Sequence, residues 1–257
     1  MEKRDLIIYL AIKHCGDWEQ IYRALHVDSD FDDEETVMDT TRKLRCGVIT
    51  ILDEGYPESL LTVIRPPFAL FYYGNISLIK DTDKNLGVVG TRDPTDFGLK
   101  TTREMVEGLK KHIVVVSGLA EGIDGCAHET ALDCGHNTIA VLGSGVNICF
   151  PSTNRDLYAK IYYSRSSLII SEYPPGVPPK ANNFPVRNRI IAGLSKCLLV
   201  TEARRRSGTS ITVSYALERG MNVLCVPSSD LKNSTCNLCI KDGGYLVETA
   251  EDINAFY

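Results

Sequence analysis

Val114-Val115-Val116-Ser117-Gly118-Leu119-Ala120-Glu121-Gly122-Ile123-Asp124 decides the fold. The three valines read as a short buried strand, the serine and glycines as a tight turn, and the aspartate as an early helical residue. A strand that stops on glycine and restarts as a helix is half of a βαβ unit, and the pattern recurs on both sides. Apolar β-rich runs at 86–89, 113–116, 138–142, 168–170, 197–200 and 223–226 are separated, for the most part, by stretches of helical character at 98–111, 124–133, 154–162 and 209–219. Short strands alternating with helices imply parallel pairing with both sheet faces covered. The expected fold is α/β: an extended Rossmann-like, doubly wound, mostly parallel sheet.

Toward the amino terminus the period changes. Leu6, Ile7, Leu10 and Ala11 have helical spacing, as do Trp18, Ile21, Tyr22 and Leu25. Asp17 is placed to cap the second helix and Asp32-Asp33-Glu34-Glu35 to start a third, because carboxylates favour helix amino termini. Residues 1–47 therefore read as a small helical module, and 48–257 as the Rossmann-like domain with its lead-in. In that lead-in Val48-Ile49-Thr50-Ile51-Leu52 and Leu70-Phe71-Tyr72-Tyr73 read as strands between proline-punctuated turns. The segment after Asp230 shows no clear period.

The 257 residues suffice for one large domain with its own core. No apolar run reaches the roughly 18 residues of a membrane span, and the first residues lack a signal-peptide core, so a cytoplasmic protein is expected. The nine cysteines are odd in number and follow no framework spacing. Cys126, Cys149, Cys197 and Cys225 fall beside or within apolar segments, where a free thiol acts as a small hydrophobe. Cys236-Asn237-Leu238-Cys239 has redox or zinc spacing, yet no second pair or nearby histidine completes a tetrahedral site, so no metal is expected. A net charge of −5 gives no global attraction for nucleic acid, so binding of that kind requires local clustering of cations.

Four turns supply a candidate cluster. Gly90-Thr91-Arg92, Ser117-Gly118, Gly143-Ser144-Gly145 and Ser207-Gly208-Thr209 each follow an expected strand. In a parallel sheet all strand carboxyl ends share one edge, where open α/β folds bind ligands. Glycines admit a close backbone approach, and hydroxyls with the first amides of a helix donate to phosphate oxygens. Lys180-Ala181-Asn182-Asn183-Phe184-Pro185-Val186-Arg187-Asn188-Arg189 then adds three cations around an aromatic ring, and Arg204-Arg205-Arg206 precedes the last turn. Guanidinium groups match phosphates and a phenyl face stacks on a base. Of the candidate acids and bases, Asp124 and His128 stand four apart on a helix, and Glu172 and Glu202 lie just past strands. No serine elbow, metal set or Walker motif accompanies them, so a non-enzymatic protein without a cofactor is expected.

With these residues in view, the chain from about Val48 onward resembles the DNA-processing protein A (DprA/Smf) family. The resemblance runs in order through Tyr56-Pro57, Pro66-Pro67, Gly90-Thr91-Arg92, Ser117 to Asp124, Phe150-Pro151, Ser171-Glu172-Tyr173-Pro174-Pro175-Gly176, Phe184 to Ser195 and Ser207-Gly208-Thr209. It implies a homodimer that binds and protects single-stranded DNA and loads RecA recombinase in natural transformation. The residues it assigns to DNA are Arg92, Ser117, Gly118, Lys180, Phe184, Arg187, Asn188, Arg189, Ser207, Gly208 and Thr209. Ser228 and Thr235 stand where the family has glycine, which alters the late loop. Glu121 replaces a basic or neutral residue and is expected to weaken affinity. Two rivals use the same edge: a nucleotide-binding sensor, and a nucleotide phosphoribohydrolase of the LOG kind. The second places a catalytic glutamate where this chain has threonine, within Gly208-Thr209-Ser210-Ile211-Thr212.

Overall fold

A computed structural model describes residues 2–27, 32–205 and 207–257. Three helices open the chain, α1 (Lys3–Lys13), α2 (Trp18–His26) and α3 (Glu34–Arg42). The Asp17 carboxylate accepts from the Gln20 N–H at 3.1 Å and Asp33 from the Thr36 N–H at 2.9 Å, so both acidic starts act as caps. The lead-in follows as β1 (Gly47–Thr50), α4 (Glu58–Leu61) and β2 (Ala69–Gly74). The alternation then runs β3 (Asn85–Val89), α5 (Asp96–Glu107), β4 (Val114–Ser117), α6 (Ile123–Asp133), β5 (Thr138–Val141), α7 (Arg155–Tyr163), β6 (Ser167–Ser171), α8 (Asn183–Gly193) and β7 (Cys197–Val200). It closes with α9 (Gly208–Glu218), β8 (Asn222–Cys225), α10 (Thr235–Lys241), β9 (Tyr245–Leu246) and α11 (Ala250–Asn254).

The strands form one sheet in the order β1-β2-β6-β5-β4-β3-β7-β8-β9. From β3 to β9 neighbouring strands pair in parallel, while β2 pairs antiparallel to both β1 and β6. The chain steps outward from β3 to β6, then returns to lay β7 on the other side of β3. That reversal is the topological switch, and it opens a crevice beyond the carboxyl ends of β3 and β7.

Strand alternation sends each residue to one of two covered faces. Leu86, Val88 and Val115 pack with Met105, Ile123 and Ile253 from α5, α6 and α11. Val89, Val114 and Val116 cluster with Ile190 of α8, Leu194 just past its end and Val213 of α9. A third cluster joins Ile7, Leu10 and Val37 of the amino-terminal helices to Phe71, Ala140 and Ile169 of the sheet. The amino-terminal helices and the sheet thus share buried apolar surface, each large side chain contributing about 1.5–3 kcal/mol. No helix among the described residues is long and apolar enough to cross a membrane.

The α8 helix has no counterpart in the periodicity of its sequence. From Arg187 to Gly193 it is buried all round, so no polar stripe marks its outer face. Pro185 also punctuates the run, but it occupies the first turn, where no intrahelical acceptor is lost. Cys149, expected to be buried, is only half-buried.

Candidate functional site

The turns at the switch point are bonded to one another. Thr91 N–H donates to Glu202 O at 2.8 Å, Ile123 N–H to Thr91 O at 3.2 Å, and Thr209 Oγ1 to Gly90 O at 2.8 Å. Gly122 permits this closeness: its φ is +76°, and a Cβ there would lie 2.4 Å from Thr91 O. Leu119, three residues earlier in the same turn, also adopts positive φ, at 57°. Backbone strain of this kind costs roughly 1–3 kcal/mol and gathers at functional sites.

Beneath the turns lies a buried charge arrangement. Arg187 is 3% exposed and donates through Nη1 to Gly118 O at 2.7 Å and to Val141 O, capping the ends of β4 and β5. Asp124, also buried, accepts the Gly118 N–H at 3.1 Å. A Cβ on Gly118 would stand 2.5 Å from the Arg187 guanidinium and 2.7 Å from the Asp124 carboxylate, so only glycine fits between them. Burial lowers the Arg187 pKa to about 10 against the attraction of Asp124, with repulsion from Arg92 adding to the drop, and it remains a cation at neutral pH. Burial likewise pushes Asp124 up, against the pull of Arg187 and of backbone N–H groups. His128 does not face Asp124. Its Nδ1 pairs with Thr138 Oγ1 at 2.7 Å, and burial holds its pKa down at about 3.

Above this layer is an open cleft of about 690 Å³. Arg92 is exposed, its guanidinium 5.6 Å over the Phe184 ring. Phe184 in turn lies 5.3 Å from Phe150, which is 41% exposed, giving a cation and two rings along one wall. The amino terminus of α9 forms part of the lining as well. Ser207 Oγ has no hydrogen-bond partner among the described residues, and a Cβ on Gly208 would meet nothing within 4 Å. The first amides of α9 and its dipole suit an anion. Asn188 Nδ2 reaches back to Gly208 O at 3.3 Å and ties α8 to α9.

Arg92, Phe184, Arg187, Asn188, Ser207, Gly208 and Thr209 thus meet in one cleft, as the sequence suggested. Gly118 backs it through Arg187. Lys180 is exposed between the cleft residues Pro179 and Ala181. Ser117 differs from expectation: its hydroxyl is buried and donates to Val88 O at 2.6 Å. Arg189 differs more. Two positions beyond Arg187 on the same helix, it faces away from the cleft and forms a bidentate pair with Glu172 at 2.7 and 2.6 Å. Its remaining donors go to the carbonyls of Ile64, Arg65 and Val186. It holds the lead-in against α8 instead of meeting a phosphate.

Arg204 and Arg205 are exposed, Arg204 lying 3.5 Å from Asp93 on the cleft rim; Arg206 is outside the described residues. Glu202 accepts from Thr95 N–H and Oγ1 at 3.0 and 2.9 Å, so all three carboxylates weighed as acids or bases, Asp124, Glu172 and Glu202, have structural partners. Thr235 donates to Arg204 O at 2.8 Å, Ser228 is bonded both ways with Asn237, and Glu121 accepts from Thr153. The late-loop departures are thereby accommodated without glycine. Phe150 and Asp124 are cleft residues that were not assigned to DNA beforehand. Only the exposure of Phe150 distinguishes it from a core aromatic.

A doubly wound sheet with an aromatic-walled, anion-friendly crevice at its switch point defines a Rossmann-like ligand-binding protein. The model of the DNA recombination-mediator protein A family matches residues 47–257, and the chain belongs to that family. It is 41% identical over 208 residues to DNA processing protein DprA of Streptococcus pneumoniae, covering 80% of this chain and 72% of that one. The X-ray structure of S. pneumoniae DprA superposes with a TM-score of 0.82 and 32% identity, covering 99% of this chain and 98% of that chain. A DprA structure from Helicobacter pylori, described for its single-stranded-DNA binding mode, has a TM-score of 0.73 at 25% identity, with 83% and 95% covered.

Proposed function

We propose that this chain binds single-stranded DNA through the switch-point cleft, protects it, and passes it to a RecA-type recombinase during natural transformation, acting as a cytoplasmic homodimer without catalysis. The observation that carries the reading is the wall formed by Arg92, Phe184 and Phe150 beside the open start of α9. Aromatic ring faces accept any base, and a rim cation with helix amides accepts any phosphate, so affinity without sequence preference follows. Lys180 and the exposed Arg204 extend the positive rim despite the overall negative charge. The H. pylori relative supports the choice of a single strand, and the recombinase rests on the family resemblance.

Fluorescence anisotropy with labelled oligothymidine across a salt series tests the reading. Tight binding that weakens with salt and resists duplex competitor is expected. Equal affinity for duplex overturns the choice of a single strand, and no binding at low salt overturns the reading and favours a small-nucleotide ligand for the same cleft. Co-sedimentation of a RecA-type recombinase with the coated strand tests the hand-over.

A further inference from the structure

Gly143-Ser144-Gly145 follows β5 at the sheet edge that carries the other glycine turns, yet it is buried and does not line the cleft. Its polar groups turn inward: Ser144 Oγ donates to Ile148 O at 2.9 Å and Gly145 N–H to Val177 O at 2.7 Å. What the turn meets is the aromatic wall. A Cβ on Gly143 would stand 2.8 Å from Phe184 Cδ1 and 3.1 Å from Cε1. Such a contact is closer than packed atoms tolerate, and the atoms in the way belong to a rigid ring. Gly143 O also accepts from Asn183 Nδ2 at 3.0 Å, which fixes the first turn of α8 to the same point. Around the Phe184 ring stand Phe150 at 5.3 Å and the Arg92 guanidinium at 5.6 Å. The Phe150 segment is itself tethered, because Asn154 Nδ2 donates to Leu119 O and Ala120 O, both at 3.0 Å.

We propose that Gly143 is a positioning residue for base stacking: the bare backbone of this turn seats the Phe184 ring, and the Asn183 amide locks α8 onto that seat. The inference rests on the reading of the cleft as a single-strand site. It assigns the fourth glycine turn to the bases of the strand, while the other turns serve its phosphates. A methyl group at position 143 displaces the ring toward Phe150, Arg92 or the open cleft. Contact attraction is short-ranged, and a gap of about 0.5–1 Å forfeits roughly a quarter to a half of it. Asn183 acts through the same seat, by holding the backbone that carries Phe184.

Fluorescence anisotropy with labelled oligothymidine, and with an abasic strand of equal length, tests the seat. Gly143→Ala should weaken oligothymidine binding about 3- to 10-fold, less than removal of the ring, and leave the abasic strand unaffected. Added to Phe184→Ala, it should cost nothing further, since the new methyl then meets no ring. Asn183→Ala loosens the seat without crowding it and should show the same preference for the base-bearing strand. It therefore reports on the seat even where Gly143→Ala fails to fold. Equal losses on both strands, or losses that add in the double variant, make Gly143 part of the general framework and overturn the inference. Unchanged oligothymidine affinity in folded Gly143→Ala, or in Asn183→Ala, overturns it while the cleft reading stands. A wild-type protein that binds neither strand overturns the cleft reading and this inference together.

Discussion

The two helices that border the cleft contrast sharply. The α8 run is rich in cations in the sequence, yet Arg187 and Arg189 are buried, donating to carbonyls and to Glu172. Among the described residues the α9 start contributes no charged side chain to the cleft; it offers an unpartnered serine hydroxyl, an open glycine, Thr209 and the amides of a helix terminus. Cation density along a chain is therefore a poor guide to cation density at a surface. Arginines on α8 build the frame, and the charge that faces the cleft comes from Arg92 and the rim.

Removing a frame residue should have the largest effect. Arg189→Ala leaves the Glu172 carboxylate buried and unpaired, and should lower unfolding free energy in urea by about 3–5 kcal/mol. Arg189→Met with Glu172→Leu should recover most of that loss; failure to recover would mean that the carbonyl contacts dominate. On the ligand side, Phe184→Ala should weaken oligothymidine binding by about 1–3 kcal/mol, roughly 5- to 150-fold, with a smaller effect on stability. A stability loss with affinity intact would move Phe184 into the frame.

The frame should also reveal itself through pH. His128 is held neutral in the fold at a pKa of about 3, against an ordinary 6.5. The unfolded chain then binds the extra proton between those values, so stability falls as pH drops through that window. Its contribution amounts to about 2 kcal/mol between pH 7 and pH 5. His128→Asn keeps a donor toward Thr138 and should flatten this part of the urea-midpoint profile. Smallest is the rim. Arg92→Ala should cost a few-fold in affinity, lower the salt slope by about 0.7 and leave the urea midpoint unchanged, whereas Arg187→Ala should move both.

The sheet was legible because Val114-Val115-Val116 and its counterparts carry β-rich runs ending in glycine, and β7 matches its expected bounds residue for residue. The caps at Asp17 and Asp33 were legible for the same local reason. The strand order was not, since periodicity carries no information on which side of β3 a later strand lands. Neither was the inward turn of Arg189, which depends on the helical register of α8. The short α10, β9 and α11 each fall below the length at which a period declares itself.

Phe184 and Arg189 share α8, five residues or about 7.5 Å apart along its axis. A DNA strand drawn away from the Phe184 ring would load the helix in tension. That load passes through Arg189 to Glu172 at the end of β6 and to the carbonyls of Ile64 and Arg65. If the cleft holds a strand as proposed, the ion pair and the proline-rich lead-in would act as a guy-rope, tying the grip on a moving polymer to the end of β6.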